Sequence, residues 1–332
     1  MFERFQDRVC VSMPFSCFCS SAYVSLDLNG GFNREKSKMI GLSRRSVLYV
    51  PGDSEKMLLR SAAMPSDLLL LNLEDGVAAS QKDLARETVK QALQQVDFGA
   101  HEVVVRVNGP ETETGQRDLA AVVARNIDGI CLPKIEKKEE IQDVDCAVRE
   151  MEIRSRIPEG TVRLHAMIES AAGVLNSAEI AAASPRMASL IFGSADYAND
   201  IRCRPGQDRL EFLLAMQMMV VACRAAGIDA IDAPCFDLKD LDALSRESDS
   251  ARRLGFDGKS ALHPDQLPVI NQAFDVTEEE VAWAEKVLAE LGEAEKRGKA
   301  LSTLNGSLID NPHRAAAVRV LRRRNSRKKI ED

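Results

Sequence analysis

Residues 68–80 read LLLLNLEDGVAAS. Four consecutive leucines lead through Asn72 and Leu73 to two adjacent carboxylates, Glu74 and Asp75, and then to a glycine and a run of small residues. An apolar run with no polar alternation suits a strand covered on both faces, as strands of parallel sheets are. Seven further short apolar runs follow the same plan, at residues 46–52, 102–108, 129–134, 163–170, 189–197, 230–234 and 259–264. Their ends carry Arg106 and Asn108, Lys134, Glu169, Asp196, Asp232 and His263.

Helix-like segments separate the runs. SEKMLLRSAA begins with Ser54, an N-cap residue type. SQKDLARETVKQAL begins with Ser80 and has Asp83 three residues on, close to a capping box. Gly227 and Gly255 stand where a C′ glycine ends a helix. Eight strands alternating with helices predict a (β/α)₈ TIM barrel. An open doubly wound sheet is the alternative, but no GxGxxG follows any of the runs. Active sites of such barrels are built at the C-terminal ends of the strands, which gives the polar strand ends a purpose. On an extended backbone Glu74 and Asp75 point to opposite sides, one to the site and one to a neighbouring loop.

Bulk properties narrow the function. The chain has 332 residues, 45% hydrophobic and 29% charged, with a formal net charge of −7. It can bury a sizeable core, and its charge argues against general nucleic-acid binding. The exception is RVLRRRNSRKK at residues 319–329, which reads as a solvated basic tail. Eight cysteines are scattered without a CxxC, a usage that fits a reducing compartment, the cytoplasm or, in a eukaryote, the mitochondrial matrix. No apolar run approaches the roughly 18 residues of a membrane span. Residues 1–40 lack sustained periodicity and read as a poorly ordered extension, with Met39 as an alternative start. The barrel is expected over 41–275, and a C-terminal helix, further segment and basic tail over 276–332.

The ordered motifs RRSVLYVPGDSEKML, LNLEDGVAASQK, VRVN, LPKIE, MIESAAGVLN, FGSADYANDI, IDAP and GKSALHPDQ resemble the citrate lyase beta-subunit-like family of the HpcH/HpaI aldolase superfamily. The likeness covers residues 43–312. GSLIDNP at 306–312 is similar to the C-terminal lid of the citramalyl-CoA and malyl-CoA lyase branch, an element generally lacking in short citrate lyase beta subunits. The resemblance implies a TIM barrel with a lid, a divalent metal (Mg²⁺, with Mn²⁺ as a substitute), CoA thioester and 2-oxo acid substrates, and carbon–carbon bond cleavage or formation. It also implies a homo-oligomer, a trimer or hexamer, in which the lid aspartate acts from a neighbouring subunit.

The family pattern gives roles to particular residues. Glu169 and Asp196 are the expected metal ligands, since Mg²⁺ takes hard oxygen donors and keeps positions for substrate. Arg106, a costly charge after three valines unless paired, is expected to hold a thioester enolate oxygen or a substrate carboxylate. Glu74 is expected to hold a metal-bound water or to pair with Lys134 or Arg106. Asn108 is expected to orient Arg106 or a loop. Arg45 and Lys56 resemble positions that meet the CoA phosphates, and Lys134 is expected to contact the same acids or the substrate. Asp310 is the expected proton carrier. A malyl-CoA thioesterase or malate-synthase-like activity, a citrate lyase beta subunit and a non-enzymatic interaction subunit are the competing readings.

Overall fold

The computed structural model describes residues 43–331 except 124 and 125. The reading of residues 1–40 lies outside the described residues. The strands are β1 Ser46–Pro51, β2 Leu68–Asn72, β3 Glu102–Arg106, β4 Gly129–Leu132, β5 Arg163–Ile168, β6 Met187–Phe192, β7 Asp229–Asp232 and β8 Gly258–Ala261. All pair in parallel and in chain order, and β8 returns to β1 to close the barrel. Between them run α1 Glu55–Ser61, α2 Lys82–Gln95, α3 Glu113–Val122, α4 Lys138–Arg154, α5 Ala171–Leu175, α6 Ser177–Ala181, α7 Ser194–Asp200, α8 Leu213–Ala226 and α9 Leu241–Leu254. After β8 come α10 Leu267–Phe274, α11 Glu278–Lys296, a hairpin of β9 Ser302–Leu304 and β10 Ser307–Ile309, and α12 Asn311–Glu331.

The opening run shows why these strands are apolar on both sides. Leu68 and Leu70 join Val47, Val104, Cys131, Met167, Ile191 and Ile231 inside the barrel. Leu69 and Leu71 join Val103, Val105 and the helix residues Leu58, Val89 and Leu119 in the outer layer. One strand therefore feeds two cores, and each buried leucine contributes roughly 1.5–3 kcal/mol. Alternation is absent from the sequence because both faces meet apolar neighbours.

Chain punctuation follows the sequence in part. Gly227 and Gly255 end α8 and α9 at φ 72° and 104°, a left-handed turn that glycine adopts without a Cβ clash. Ser80 does not cap α2, which starts at Lys82 after a short 3₁₀ turn. The charged GEAEKRGKA stretch at 292–300 is helical as far as Lys296. The basic stretch lies within α12. That helix and the hairpin pack on α11 through a satellite core of Ala284, Val287, Leu291, Ile309 and Ala317. No helix among the described residues is long and apolar enough to cross a membrane.

Two charged layers bound the barrel interior. At the N-terminal end Arg44 grips both oxygens of Glu102 at 2.5 and 2.8 Å and reaches Asp229 at 2.5 Å. His165 stands beside Glu102 at 3.6 Å and bonds Ser189 through Nδ1 at 2.8 Å. The other layer, at the C-terminal end, is the candidate site.

Candidate active site

Arg106, the last residue of β3, points into the barrel mouth. Its Nη2 lies 2.7 Å from Glu74 Oε2 and 3.4 Å from Glu169 Oε1. All three side chains are less than a tenth exposed. Lys134 reaches over from the end of β4, with Nζ 3.1 Å from Glu74 Oε1 and 2.9 Å from Asp75 Oδ2. Lys134 holds φ at 53°, a left-handed backbone that a lysine adopts at a cost and that recurs at functional sites.

Glu74 and Asp75 do not point apart. β2 ends at Asn72, so the alternation of an extended strand no longer applies two residues later. The turn brings both carboxylates to Lys134, and the Asp75 backbone N–H donates to Glu74 Oε2. Lys82, at the start of α2, clamps this turn by donating to the carbonyls of Leu73 and Glu74, both at 2.8 Å. Asn108 closes the turn from the β3 side, donating to Leu73 O at 2.9 Å and to Asp118 Oδ2 at 2.6 Å. Its amide thus ties the β2 turn to the loop after β3.

Glu169 follows β5 and is the electrostatic centre of the site. Burial pushes its carboxyl up to about 7; Arg106 opposes that shift, and the charges of Asp196 and Glu74 add to it. Its Oε2 is buried and has no hydrogen-bond partner. Room for the side chain comes from Gly193 at the end of β6. A Cβ there would lie 2.7 Å from Glu169 Oε1 and closer still to Cγ. Asp196 stands in the first turn of α7.

The donor set fits a divalent cation. The mouth gathers four carboxylates, Glu74, Asp75, Glu169 and Asp196, against two cations, Arg106 and Lys134. Glu74 and Asp75 are matched by those cations, while Glu169 keeps an unpartnered buried oxygen next to the charge of Asp196. Among the described residues no group of three or more His, Cys, Asp and Glu side chains has metal-holding geometry. Two carboxylates are what a Mg²⁺ site uses when substrate oxygens and waters complete the shell.

Other expected residues lie elsewhere. Arg45 precedes β1, which puts it at the N-terminal end of the barrel, opposite the mouth. There it bonds Asp67 through Nη2 at 2.8 Å and Asp275 at 3.4 Å. Its expected contact with CoA phosphates is corrected accordingly. Lys56 is exposed near the start of α1, directly after the C-terminal end of β1, so it flanks the mouth. Asp310 sits between β10 and α12, and its carboxylate meets His313. Asp232 turns away from the barrel interior because its neighbour Ile231 faces in. It joins Lys259 at 2.7 Å and Arg209 at 2.6 and 2.8 Å. Glu247 of α9 completes the group at 2.9 Å from Lys259. These charges pin the loop before α8 to the β7–β8 seam. His263 caps the turn before α10. Cys131 lies in the inner core with its thiol pushed up to about 12 by burial, so it is inert.

Sequence reasoning did not find Lys82, Arg209 or the phenol of Tyr49, which faces the interior 3.9 Å from Met167 Sδ. Lys82 had one signal, a cation eight residues after a carboxylate that ends a strand. The other two carry none without the fold.

Comparison with known proteins agrees with this architecture. A model of the HpcH/HpaI aldolase/citrate lyase family matches residues 45–264, and one of C–C bond lyases of the TIM-barrel fold matches 211–326. The chain is 37% identical over 283 residues to the citrate lyase subunit beta of Leuconostoc mesenteroides subsp. cremoris, covering 85% of this chain and 94% of that one. It is 35% identical over 277 residues to a (3S)-malyl-CoA thioesterase of Cereibacter sphaeroides, covering 83% and 93%. Among solved structures, Mycobacterium tuberculosis CitE in complex with magnesium, acetoacetate and coenzyme A is similar at 28% identity and a TM-score of 0.68, over 85% of this chain and 98% of that one. With a barrel of this topology, a family match spanning all eight of its strands and relatives of this identity along most of their length, the chain belongs to the HpcH/HpaI aldolase/citrate lyase family.

Proposed function

We propose that the protein is a Mg²⁺-dependent carbon–carbon lyase that cleaves a 3-hydroxyacyl-CoA of the citramalyl-CoA or malyl-CoA type into an acyl-CoA and a 2-oxo acid. The observation that carries the reading is Glu169, whose buried Oε2 lacks a partner beside the charge of Asp196 and beneath Arg106. Glu169 and Asp196 would hold the metal, which when bound supplies polarisation of the 2-oxo acid oxygens; Mn²⁺ would serve the same ligands.

The chain's own residues do the rest. The substrate hydroxyl gives its proton to a carboxylate of the mouth, the carbon–carbon bond breaks, and its electron pair passes to the thioester enolate. Arg106, fixed by Glu74, presents its guanidinium to the enolate oxygen. Asp310 delivers a proton to the enolate carbon, and in condensation it removes one. Asp310 lies in a C-terminal segment held on α11, and, as the resemblance to the citramalyl-CoA and malyl-CoA lyase branch implies, it serves the mouth of a neighbouring copy in a homo-oligomer, a trimer in this reading. Lys56 and Lys134 offer cations to the CoA phosphates and the substrate carboxylate.

The test is turnover of EDTA-treated protein on a panel of hydroxyacyl-CoA esters, with Mg²⁺ restored, following acyl-CoA and 2-oxo acid by mass spectrometry. Full activity without metal overturns the reading. The likeness to a malyl-CoA thioesterase favours one competing outcome, free CoA and a hydroxy acid as products. Mixing Asp310→Asn subunits with Arg106→Ala subunits tests the shared site: activity returns only if the aspartate crosses between copies.

A further inference from the structure

We propose that His313 is the positioning residue of the proton carrier, forming with Asp310 an imidazole–carboxylate pair at the start of α12. The inference rests on the reading of Asp310 as that carrier.

The geometry begins with the sequence DNPH at residues 310–313. Asp310 occupies the N-cap position of α12, and Asn311, Pro312 and His313 are its first three helical residues. An N-cap carboxylate ordinarily accepts from the backbone N–H of the second or third helical residue. Pro312 has no N–H to offer. The third residue brings its ring instead: His313 Nδ1 lies 2.6 Å from Asp310 Oδ1.

His313 Nδ1 faces two groups, Asp310 Oδ1 at 2.6 Å and the Asp310 backbone N–H at 3.3 Å; the shorter contact is to the carboxylate, which accepts from the ring in its Nδ1–H tautomer. The ring engages Oδ1, which fixes the plane of the carboxylate and leaves Oδ2 to exchange a proton. The nearest cation of the same helix is already committed, since Arg314 pairs with Glu295 of α11 at 3.0 Å. Both members of the pair are accessible, with 36% of the Asp310 and 44% of the His313 side chain exposed. A pair buried in its own subunit could not be presented to another site, and this one can.

The test compares three variants. His313→Leu removes the donor, and His313→Asn keeps an N–H donor at about the place of Nδ1. The leucine variant is expected to lose about tenfold in kcat, the worth of one hydrogen bond, with KM for the thioester unchanged. The asparagine variant is expected to restore most of the rate. Equal loss in both variants, or no loss in the leucine variant while Asp310→Asn is inactive, overturns the positioning role and leaves the function standing. Wild-type turnover in Asp310→Asn overturns both. An independent readout is the ¹⁵N spectrum of histidine-labelled protein. His313 is expected to show the Nδ1–H tautomer and to change signal in Asp310→Asn; an Nε2–H tautomer overturns the pair.

Discussion

The barrel holds two buried charged layers within one set of strands, and the glutamates at their centres have opposite character. In the N-terminal layer Arg44 neutralises Glu102 through both oxygens and outweighs the burial that would raise its carboxyl, so Glu102 is held below its ordinary value. In the C-terminal layer Glu169 shares one arginine with Glu74 at a longer distance, retains an unpartnered oxygen and is pushed up to about 7. The number of charges does not tell a site from a brace. The difference lies in how completely each carboxylate is matched, because an unmatched buried charge is tolerated only where something else will meet it.

Four measurements break or sharpen this contrast. The largest effect is expected from Glu169→Gln. Turnover should fall by about 10³-fold, since polarisation by a held metal is worth several kcal/mol. The metal-free variant should melt no lower than the parent, because the substitution removes a buried carboxylate oxygen that has no partner. A loss of stability comparable to that of a brace residue would erase the distinction between the layers.

Glu102→Gln should do the reverse. It leaves Arg44 half-paired in the interior and should cost about 3–5 kcal/mol in chemical denaturation, while the folded fraction keeps its turnover. If the variant is as stable as the parent, the N-terminal layer is not a brace.

The third measurement uses pH. Burial holds the His165 imidazole down to about 4, against an ordinary value of 6.5. Between those values the unfolded chain binds a proton that the native protein refuses, so stability falls as pH falls from 6.5 to 4. The full window corresponds to about 3 kcal/mol. His165→Asn should flatten the slope between pH 7 and 5, and an unchanged slope would assign the acid sensitivity to another group. The smallest effect is expected at Cys131: the native protein should leave this thiol unlabelled by iodoacetamide at pH 8, and Cys131→Ala should change turnover by less than about twofold.

Much of the fold was legible because the leucines of β2 and the valines of β3 face apolar neighbours on both sides, and only a covered parallel sheet asks for that. The mouth was legible at Arg106, Glu74, Lys134 and Glu169, since polar groups that end apolar strands have few other uses. The misplacements share a cause. Arg45 and Lys56 both border β1, yet they flank opposite ends of the barrel, and a motif does not say which end a residue serves. Asp232 ends its strand as Glu169 follows its own, but the parity set by Ile231 turns it outward. Ser80 has the composition of a cap, but it lies inside a 3₁₀ turn, and the residue that starts α2, Lys82, spends its amine on the carbonyls of Leu73 and Glu74. Each depends on register or on a partner remote in sequence.

Gly193 has a consequence for how this protein can change. It has no side chain to bond, titrate or move, and a survey of functional groups would pass over it. Yet any other residue there would push its Cβ into the Glu169 side chain. A library randomised at position 193 and selected for turnover should return one letter of the twenty, whereas selection for folding alone should return several. Adaptation toward new substrates can exchange the side chains around the mouth one at a time, but it has no single step through this position.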